Sequence, residues 1–159
     1  MFSLGEIIDF AIRIEENGEA FYRQAEKKGA TPEIKALFQS LAEDEVRHQE
    51  WFAAMKTSLK REDFDPALTG PQRGMFQEII GNQTFSLNNA DLSRLETEDE
   101  VLDLAIEFER DTIVFFEMIL AFVDEETVRG KVREFIREEN RHISLLEAQR
   151  NKNPALDIL

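Results

Sequence analysis

Two Glu-x-x-His sequences are the feature of this chain most suggestive of chemistry. Its only histidines are His48, in LAEDEVRHQE (residues 41–50), and His142, in IREENRHISL (136–145), and each follows a glutamate by three residues, Glu45 and Glu139. Residues three apart on a helix lie one turn apart on the same face, so each pair can reach one metal ion. Carboxylate and imidazole without sulfur suit iron or manganese and, less specifically, zinc.

An internal repeat links the two motifs. AIRIEENGEAFY (11–22) aligns with AIEFERDTIVFF (105–116), which places Glu15 opposite Glu109. LAEDEVRHQEWF (41–52) aligns with FIREENRHISLL (135–146), and the spacing of 94 residues is the same in both alignments. One spacing shared by two segments in each half predicts a duplicated helical hairpin.

Helical periodicity and capping signals predict the elements that carry these residues. Capping boxes at Ser3-x-x-Glu6 and Thr97-x-x-Glu100, and the restart at Thr31-Pro32, support helices over about 4–28, 32–60, 98–123 and 126–150. Residues 62–96 are rich in Gly, Pro and Asn and predict a crossover with one short helix around 75–80. We therefore expect an all-α single domain over residues 1–159, a four-helix bundle with one long crossover between helices 2 and 3 and no sheet.

The predicted helices bring several ionisable side chains onto apolar stripes that face the bundle core. Four buried carboxylates cannot all stay ionised without partners, because desolvation and mutual repulsion each cost several kcal/mol. Two divalent cations would balance their charge. The alternative is a hydrogen-bonded polar layer without metal. The predicted ligands are Glu15, Glu45, His48, Glu109, Glu139 and His142.

Other polar and aromatic residues near the motifs receive weaker interpretations. Tyr22, two turns after Glu15, is a candidate to hydrogen-bond a ligand carboxylate, or else a core aromatic whose hydroxyl is satisfied elsewhere. Trp51 is interpreted as a packing residue. The acidic residues off the apolar stripes are expected to face solvent rather than to be ligands; they are Glu16, Glu19, Asp44, Glu107, Asp111 and Glu138.

Composition limits the classes of function. The absence of cysteine excludes disulfides, thiol catalysis and cysteine-ligated metal in this chain. The net charge of −14 argues against binding to nucleic acid or anionic membranes. The N-terminal MFSLGEIIDFAIRI reads as a helix rather than a signal peptide, so a cytoplasmic protein is expected. The third helix is apolar over more than one face, which the crossover or a second subunit must cover, and a homodimer is predicted.

These motifs together resemble those of ferritin-like di-iron carboxylate proteins, in which two helices each give a glutamate and two give Glu-x-x-His. Within that superfamily the chain resembles rubrerythrins, on Glu15 with Tyr22, Glu45-x-x-His48, Glu109 with Phe115-Phe116, and Glu139-x-x-His142. The resemblance implies two iron ions held by these glutamates and histidines. It also implies reaction with hydrogen peroxide or dioxygen, as in defence against oxidative stress.

Two differences from rubrerythrin limit the activity and the source of electrons that the resemblance implies. Thr112 stands where rubrerythrin has an additional glutamate associated with peroxidase turnover, and without cysteine the chain cannot form a rubredoxin domain. We therefore predict an oxidoreductase that takes electrons from an external donor protein. The alternatives are an iron-handling protein, of ferroxidase or storage type, that turns over no reductant, and a redox-silent zinc or manganese bundle.

Overall fold

The computed structural model describes residues 3–60, 74, 78 and 92–152. Within them lie four long helices: α1 Leu4–Lys28, α2 Pro32–Thr57, α3 Glu98–Phe122 and α4 Glu126–Asn151. A short 3-10 helix, Leu92–Arg94, precedes α3, and the described residues contain no strand. The predicted all-α bundle is confirmed. The second helix ends three residues before the predicted residue 60, at Thr57.

Side-chain caps fix where the helices begin. Ser3 and Thr97 form the predicted capping boxes with Glu6 and Glu100, and the Thr31 hydroxyl accepts from the Ile34 amide. The last helix begins differently, because the carboxylate of Glu125 accepts from the amides of residues 127 and 128. Each cap satisfies amides that have no partner inside the helix.

The helices pack as two hairpins. The closest packing joins α1 to α2 and α3 to α4, while α1 meets α3 and α2 meets α4 across the hairpins. Most of the predicted crossover lies outside the described residues. Of the short helix predicted around residues 75–80, only Glu78 is described, and it is helical. No helix in the described part of the chain has the length and hydropathy needed to cross a bilayer.

Two apolar clusters fill the core, one on each side of a polar layer. The first is centred on Phe52, Phe116 and Phe135, and the second contains Phe38 and Leu102. Because the polar layer is closed above and below by bulky side chains, water has little access to it. Two large apolar side chains are exposed among the described residues, Val114 on α3 at 46% and Leu145 on α4 at 40%.

Candidate metal centre

The polar layer consists of the residues predicted as ligands. Each of the four helices contributes to it, α1 and α3 one glutamate each and α2 and α4 a Glu-x-x-His pair. All six side chains are fully buried: Glu15, Glu45, His48, Glu109, Glu139 and His142. Regular helix geometry explains this convergence, since each residue lies on the apolar stripe of its own helix between core residues of the two clusters.

The six side chains form two overlapping groups of four. One group is Glu15, Glu45, His48 and Glu139, and the other is Glu45, Glu109, Glu139 and His142. In each group one ligand atom per residue lies within 4.8 Å of the others. Glu45 and Glu139 belong to both groups, so each would be shared if both groups held an ion. The histidine rings are nearly parallel, with centroids 6.4 Å apart.

The inner nitrogens of the two histidines face the carboxylates. His48 Nδ1 lies 2.9 Å from Glu139 Oε1 and 3.3 Å from Glu15 Oε2. His142 Nδ1 lies 2.9 Å from Glu139 Oε2, 3.3 Å from Glu109 Oε1 and 3.5 Å from Glu45 Oε1. The carboxylate of Glu139 thus lies between the two imidazoles.

The outer nitrogens are held by acids on the opposite hairpin. His48 Nε2 lies 2.6 Å from Glu138 Oε2, and His142 Nε2 lies 2.9 Å from Asp44 Oδ2. Metal-binding histidines usually donate their second N–H to such a carboxylate, which orients the ring and leaves the other nitrogen for the ion. Both histidines of this centre have that support.

Asp44 and Glu138 correct a prediction made from the sequence. Both were expected to face solvent, but their side chains are only 18% and 19% exposed because they lie over the histidines. Arg47 contacts both acids, at 2.8 Å from Asp44 and 3.1 Å from Glu138, and Arg141 lies 3.1 Å from Asp44. Of the other four acids, Glu16 and Glu107 are exposed as expected, whereas Glu19 and Asp111 are half-buried.

A signal for these supporting residues was present in the repeat. The motifs read Asp-Glu-Val-Arg-His at 44–48 and Glu-Glu-Asn-Arg-His at 138–142, so the acid before the glutamate and the arginine before the histidine also recur. A burial pattern alone could not find them, because they sit at the edge of the apolar stripes. The matched acid in both halves was the available evidence.

Tyr22 completes the contacts of Glu109. Its hydroxyl donates to Glu109 Oε1, across the bundle, and the ring is fully buried beside Phe21 and Phe38. Of the two interpretations of Tyr22 from the sequence, the hydrogen bond to a candidate ligand is the one found here. Trp51 packs edge-on against Phe52 and Phe135, as a packing residue should.

Burial and crowding perturb the acids of the centre. Burial, with repulsion from Glu139, raises the pKa of Glu109 to about 8. Burial and neighbouring carboxylates also raise the pKa values of Glu15 and Glu45. Burial acts on Glu139 in the same direction, but the two adjacent imidazoles outweigh it and hold its pKa below the usual range. The four carboxylates therefore compete for the positive charge of the two imidazoles.

The pKa values of the two histidines are raised, and those of their outer acids are lowered. Burial lowers the pKa of His48, but the surrounding acids, Glu139 first and then Glu45 and Glu138, together outweigh burial and raise it to about 9. His142 is shifted upward for the same reasons, with Asp44 the largest contributor to the rise in its pKa. Hydrogen bonds from the histidines and Arg47 overcome burial and hold the pKa values of Asp44 and Glu138 low.

The unpaired oxygens test whether the residues fit metal ions. Within the described part of the chain, six buried carboxylate oxygens have no hydrogen bond of good geometry: one each of Glu15 and Glu109, and both of Glu45 and of Glu139. Unsatisfied buried oxygens are costly unless something positive binds them. Two cations between these oxygens and the inner histidine nitrogens remove that cost, so the donor set fits a pair of metal ions.

Comparison with known sequences agrees with this geometry. The sequence profile of the rubrerythrin family matches residues 6–149, which span all four helices and all six candidate ligands. The chain belongs to the rubrerythrin family.

A solved structure shares the fold of this rubrerythrin-family chain. It is that of a protein from Thermotoga maritima assigned to the ferritin-like diiron-carboxylate proteins, with 29% sequence identity and a TM-score of 0.76. The similarity covers 96% of this chain and 97% of that one. No curated protein matches the sequence significantly.

Thr112 occupies the position at which rubrerythrin has an additional glutamate, and its side chain is bonded within its own helix. Thr112 is fully buried one turn after Glu109, and its hydroxyl donates to the Phe108 carbonyl at 3.0 Å. The hydroxyl is therefore engaged by its own helix. The repeat-equivalent position on α1 is Gly18, so neither half adds a further carboxylate at this level of the bundle.

Proposed function

We propose that this chain is a non-haem di-iron oxidoreductase that reduces hydrogen peroxide or dioxygen with electrons from an external donor protein. The observation that carries the proposal is the fully buried layer of four glutamates and two histidines, in which two glutamates reach both candidate ion positions. Carboxylate and imidazole ligands suit iron, and manganese is the nearest competitor for the same set.

The chain's own residues have two tasks in this proposal, which are to hold the ions and to exclude water. Glu15 and Glu109 would each hold one ion, and Glu45 and Glu139 would contribute to holding both. The two apolar clusters exclude bulk water and so protect the centre from side reactions. Bound ferrous ions would supply the electrons for reduction, one each.

The protons held by the centre make metal binding dependent on pH. His48 and Glu109, with pKa values of about 9 and about 8, carry protons near neutral pH when no metal is bound. A metal ligand must be deprotonated, so binding of cations releases these protons. Asp44 and Glu138 remain ionised and keep the histidine rings oriented during this exchange.

The proposal is tested on protein purified without oxygen. Native metal content is measured first, and peroxide consumption is then followed with rubredoxin kept reduced by its reductase. We expect about two irons per chain, as a two-metal site requires, and many peroxides consumed per chain. A Glu45→Ala, Glu139→Ala variant serves as the matched control, because it removes both shared ligands, and should consume none above background.

The other outcomes distinguish the competing functions. Uptake of iron well beyond the two site ions, with one oxidation event per ferrous ion and no sustained consumption of reductant, identifies an iron-handling protein. Native protein that contains only zinc or manganese and is inert toward peroxide identifies a redox-silent bundle. Either result contradicts the proposed oxidoreductase.

We also propose a cytoplasmic homodimer. Val114 and Leu145 are the exposed large apolar side chains of the described residues, and a partner copy would cover them. Sedimentation velocity on the full chain tests this, together with a Val114→Glu variant that should shift a dimer toward monomer. A monomeric wild-type chain at micromolar concentration contradicts the dimer.

A further inference from the structure

The repeat allows the two halves of the metal centre to be compared residue by residue. Glu15 corresponds to Glu109, and His48 to His142, at the common spacing of 94 residues. The same spacing pairs Tyr22 with Phe116. One half of the centre therefore has a hydroxyl where the other has an apolar ring.

The contacts of the two single-ion glutamates differ accordingly. Glu109 Oε1 accepts the hydrogen bond from the Tyr22 hydroxyl and lies 3.3 Å from His142 Nδ1. Glu15 Oε2 lies 3.3 Å from His48 Nδ1 and accepts from no hydroxyl among the described contacts. Each glutamate has one further oxygen without a hydrogen bond in the described residues, Glu15 Oε1 and Glu109 Oε2, so the Tyr22 hydroxyl is the difference between them. Phe116, the counterpart of Tyr22, is fully buried and packs on Phe52 and Phe135.

The histidines do not offset this difference. Each is held at its outer nitrogen by an acid, and both acids are contacted by Arg47. The two imidazoles therefore have supports of the same kind, and Arg141 adds an ion pair only to Asp44, on the His142 side. The supports of Glu15 and Glu109 differ in kind. A ligand already fixed in its binding orientation loses less conformational freedom when the ion arrives.

We infer that the two ion positions are unequal and that the position formed by Glu109 and His142 fills first. The inference rests on the proposed dinuclear site and adds an order of loading to it. Loss of a supporting hydrogen bond to a metal ligand typically costs about 10- to 100-fold in affinity, so the two dissociation constants should differ by about tenfold or more. At one equivalent of tightly bound metal, the His142 position then holds about three quarters of the ions for a tenfold difference and about nine tenths for a hundredfold difference.

Manganese(II) is a suitable probe, because it is stable in air near neutral pH and paramagnetic. Metal-free full-length protein is titrated by calorimetry, and electron paramagnetic resonance is recorded at one and two equivalents. Two resolved binding steps are expected, with the signal of an isolated ion at one equivalent and of a coupled pair at two. Anomalous diffraction from crystals loaded with one equivalent should place manganese beside His142.

Two variants exploit the repeat. Tyr22→Phe removes the hydroxyl and nothing else, and should weaken the first step by about tenfold or more while leaving the second nearly unchanged. Phe116→Tyr introduces the corresponding hydroxyl in the other half and should bring the two steps closer together. A merely structural role for Tyr22 would shift unfolding temperature without this selective change in the first step.

The possible results separate the inference from the proposed function. Two ions bound with equal affinity, or preferential filling beside His48, overturn the order of loading while the dinuclear site stands. An unchanged first step in Tyr22→Phe overturns the role given to the hydroxyl. Failure to bind any manganese or iron overturns the dinuclear site and the inference with it.

Discussion

His48 Nε2 lies 2.6 Å from Glu138 Oε2, so a histidine of the first hairpin is held by an acid of the second. The reciprocal pair, His142 and Asp44, lies 2.9 Å apart. Arg47 contacts both acids and links the two pairs at the surface of the bundle. The Nδ1 atom of each imidazole is thereby held toward the buried carboxylates.

Removing an outer acid should weaken metal binding without unfolding the bundle. We expect Asp44→Ala and Glu138→Ala each to lose about 10- to 100-fold in affinity for manganese(II), the usual cost of losing such a partner. Glu43→Ala is the control, because Glu43 is exposed beside Asp44 and bonds only to Gln39 among the contacts described. Calorimetric titration measures all three. Equal affinities in Asp44→Ala and Glu43→Ala would contradict the role of the outer acids.

Removing a shared carboxylate should stabilise the metal-free protein while it damages the site. Burial and the charges of Glu15 and Glu109 disfavour ionised Glu45, and glutamine has the same shape without the charge. At pH 8, Glu45→Gln should unfold at a higher temperature than wild type, by about 2 to 4 °C for each kcal/mol gained in a chain of this size, and metal should stabilise it much less.

Glu50→Gln controls for the loss of one charge on the same helix, since Glu50 is exposed. It should leave both the unfolding temperature and the response to metal nearly unchanged. A metal-free Glu45→Gln protein less stable than wild type at pH 8 would show that the ionised glutamate is favourable where it lies.

The metal-free protein should lose stability as pH rises from about 6 toward 9. The folded-state pKa of His48 is raised from 6.5 to about 9, and that of Glu109 from 4.5 to about 8. A raised pKa gives stability that is complete below the unfolded value and is lost as pH rises through the folded value. Both groups therefore act in the same direction over this window.

Bound metal should oppose that loss, because cations replace the protons that His48 and Glu109 give up. Thermal unfolding at pH 6 and pH 8.5, with and without manganese(II), measures the effect. The stabilisation by metal should be larger at pH 8.5. Metal-free stability that increases between these two pH values would disprove the expectation.

Gly18 should be required for the position of Glu45. A Cβ at residue 18 would lie 2.9 Å from Glu45 Oε2 and 2.9 Å from Phe108 Cε1, so both side chains would have to move. We expect Gly18→Ala to lower metal affinity. Alanine normally stabilises a helix by roughly 1 kcal/mol relative to glycine. At residue 18 the displaced side chains should cancel much of this gain in the free energy of unfolding.

Gly130 in α4 is the matched control, because a Cβ there would meet no atom within 4 Å. Gly130→Ala should raise the free energy of unfolding by about 0.5 to 1 kcal/mol and leave metal affinity unchanged. Denaturant unfolding and calorimetric titration of both variants provide the comparison. Unaltered metal affinity in Gly18→Ala would remove Gly18 from the account of the site.

The sequence was informative where local rules decide the structure. Capping boxes at Ser3 and Thr97 located two helix starts, because the bonds that make a cap lie within four residues of each other. The six candidate ligands could be found because helical periodicity fixes which face each residue occupies. The rubrerythrin resemblance drawn from them was confirmed by the family match.

Contacts between hairpins were harder to predict. Asp44 and Glu138 lie at the edges of their helices, and whether such a residue meets solvent or a neighbour depends on how the helices are rotated against each other. The partner of Tyr22 depended on the same rotation, as did the close approach of Gly18 to Glu45. None of these distances is set by spacing along one helix.

The crossed support of the histidines bears on how such a chain can arise. A hairpin of this kind taken alone has a histidine without its acid and an acid without its histidine, yet two identical hairpins related by a twofold axis satisfy both. A short ancestral gene encoding one hairpin would thus have gained a complete centre by self-association. Tandem fusion of two copies would then have allowed the halves to diverge. The difference between Tyr22 and Phe116 is one result of that divergence.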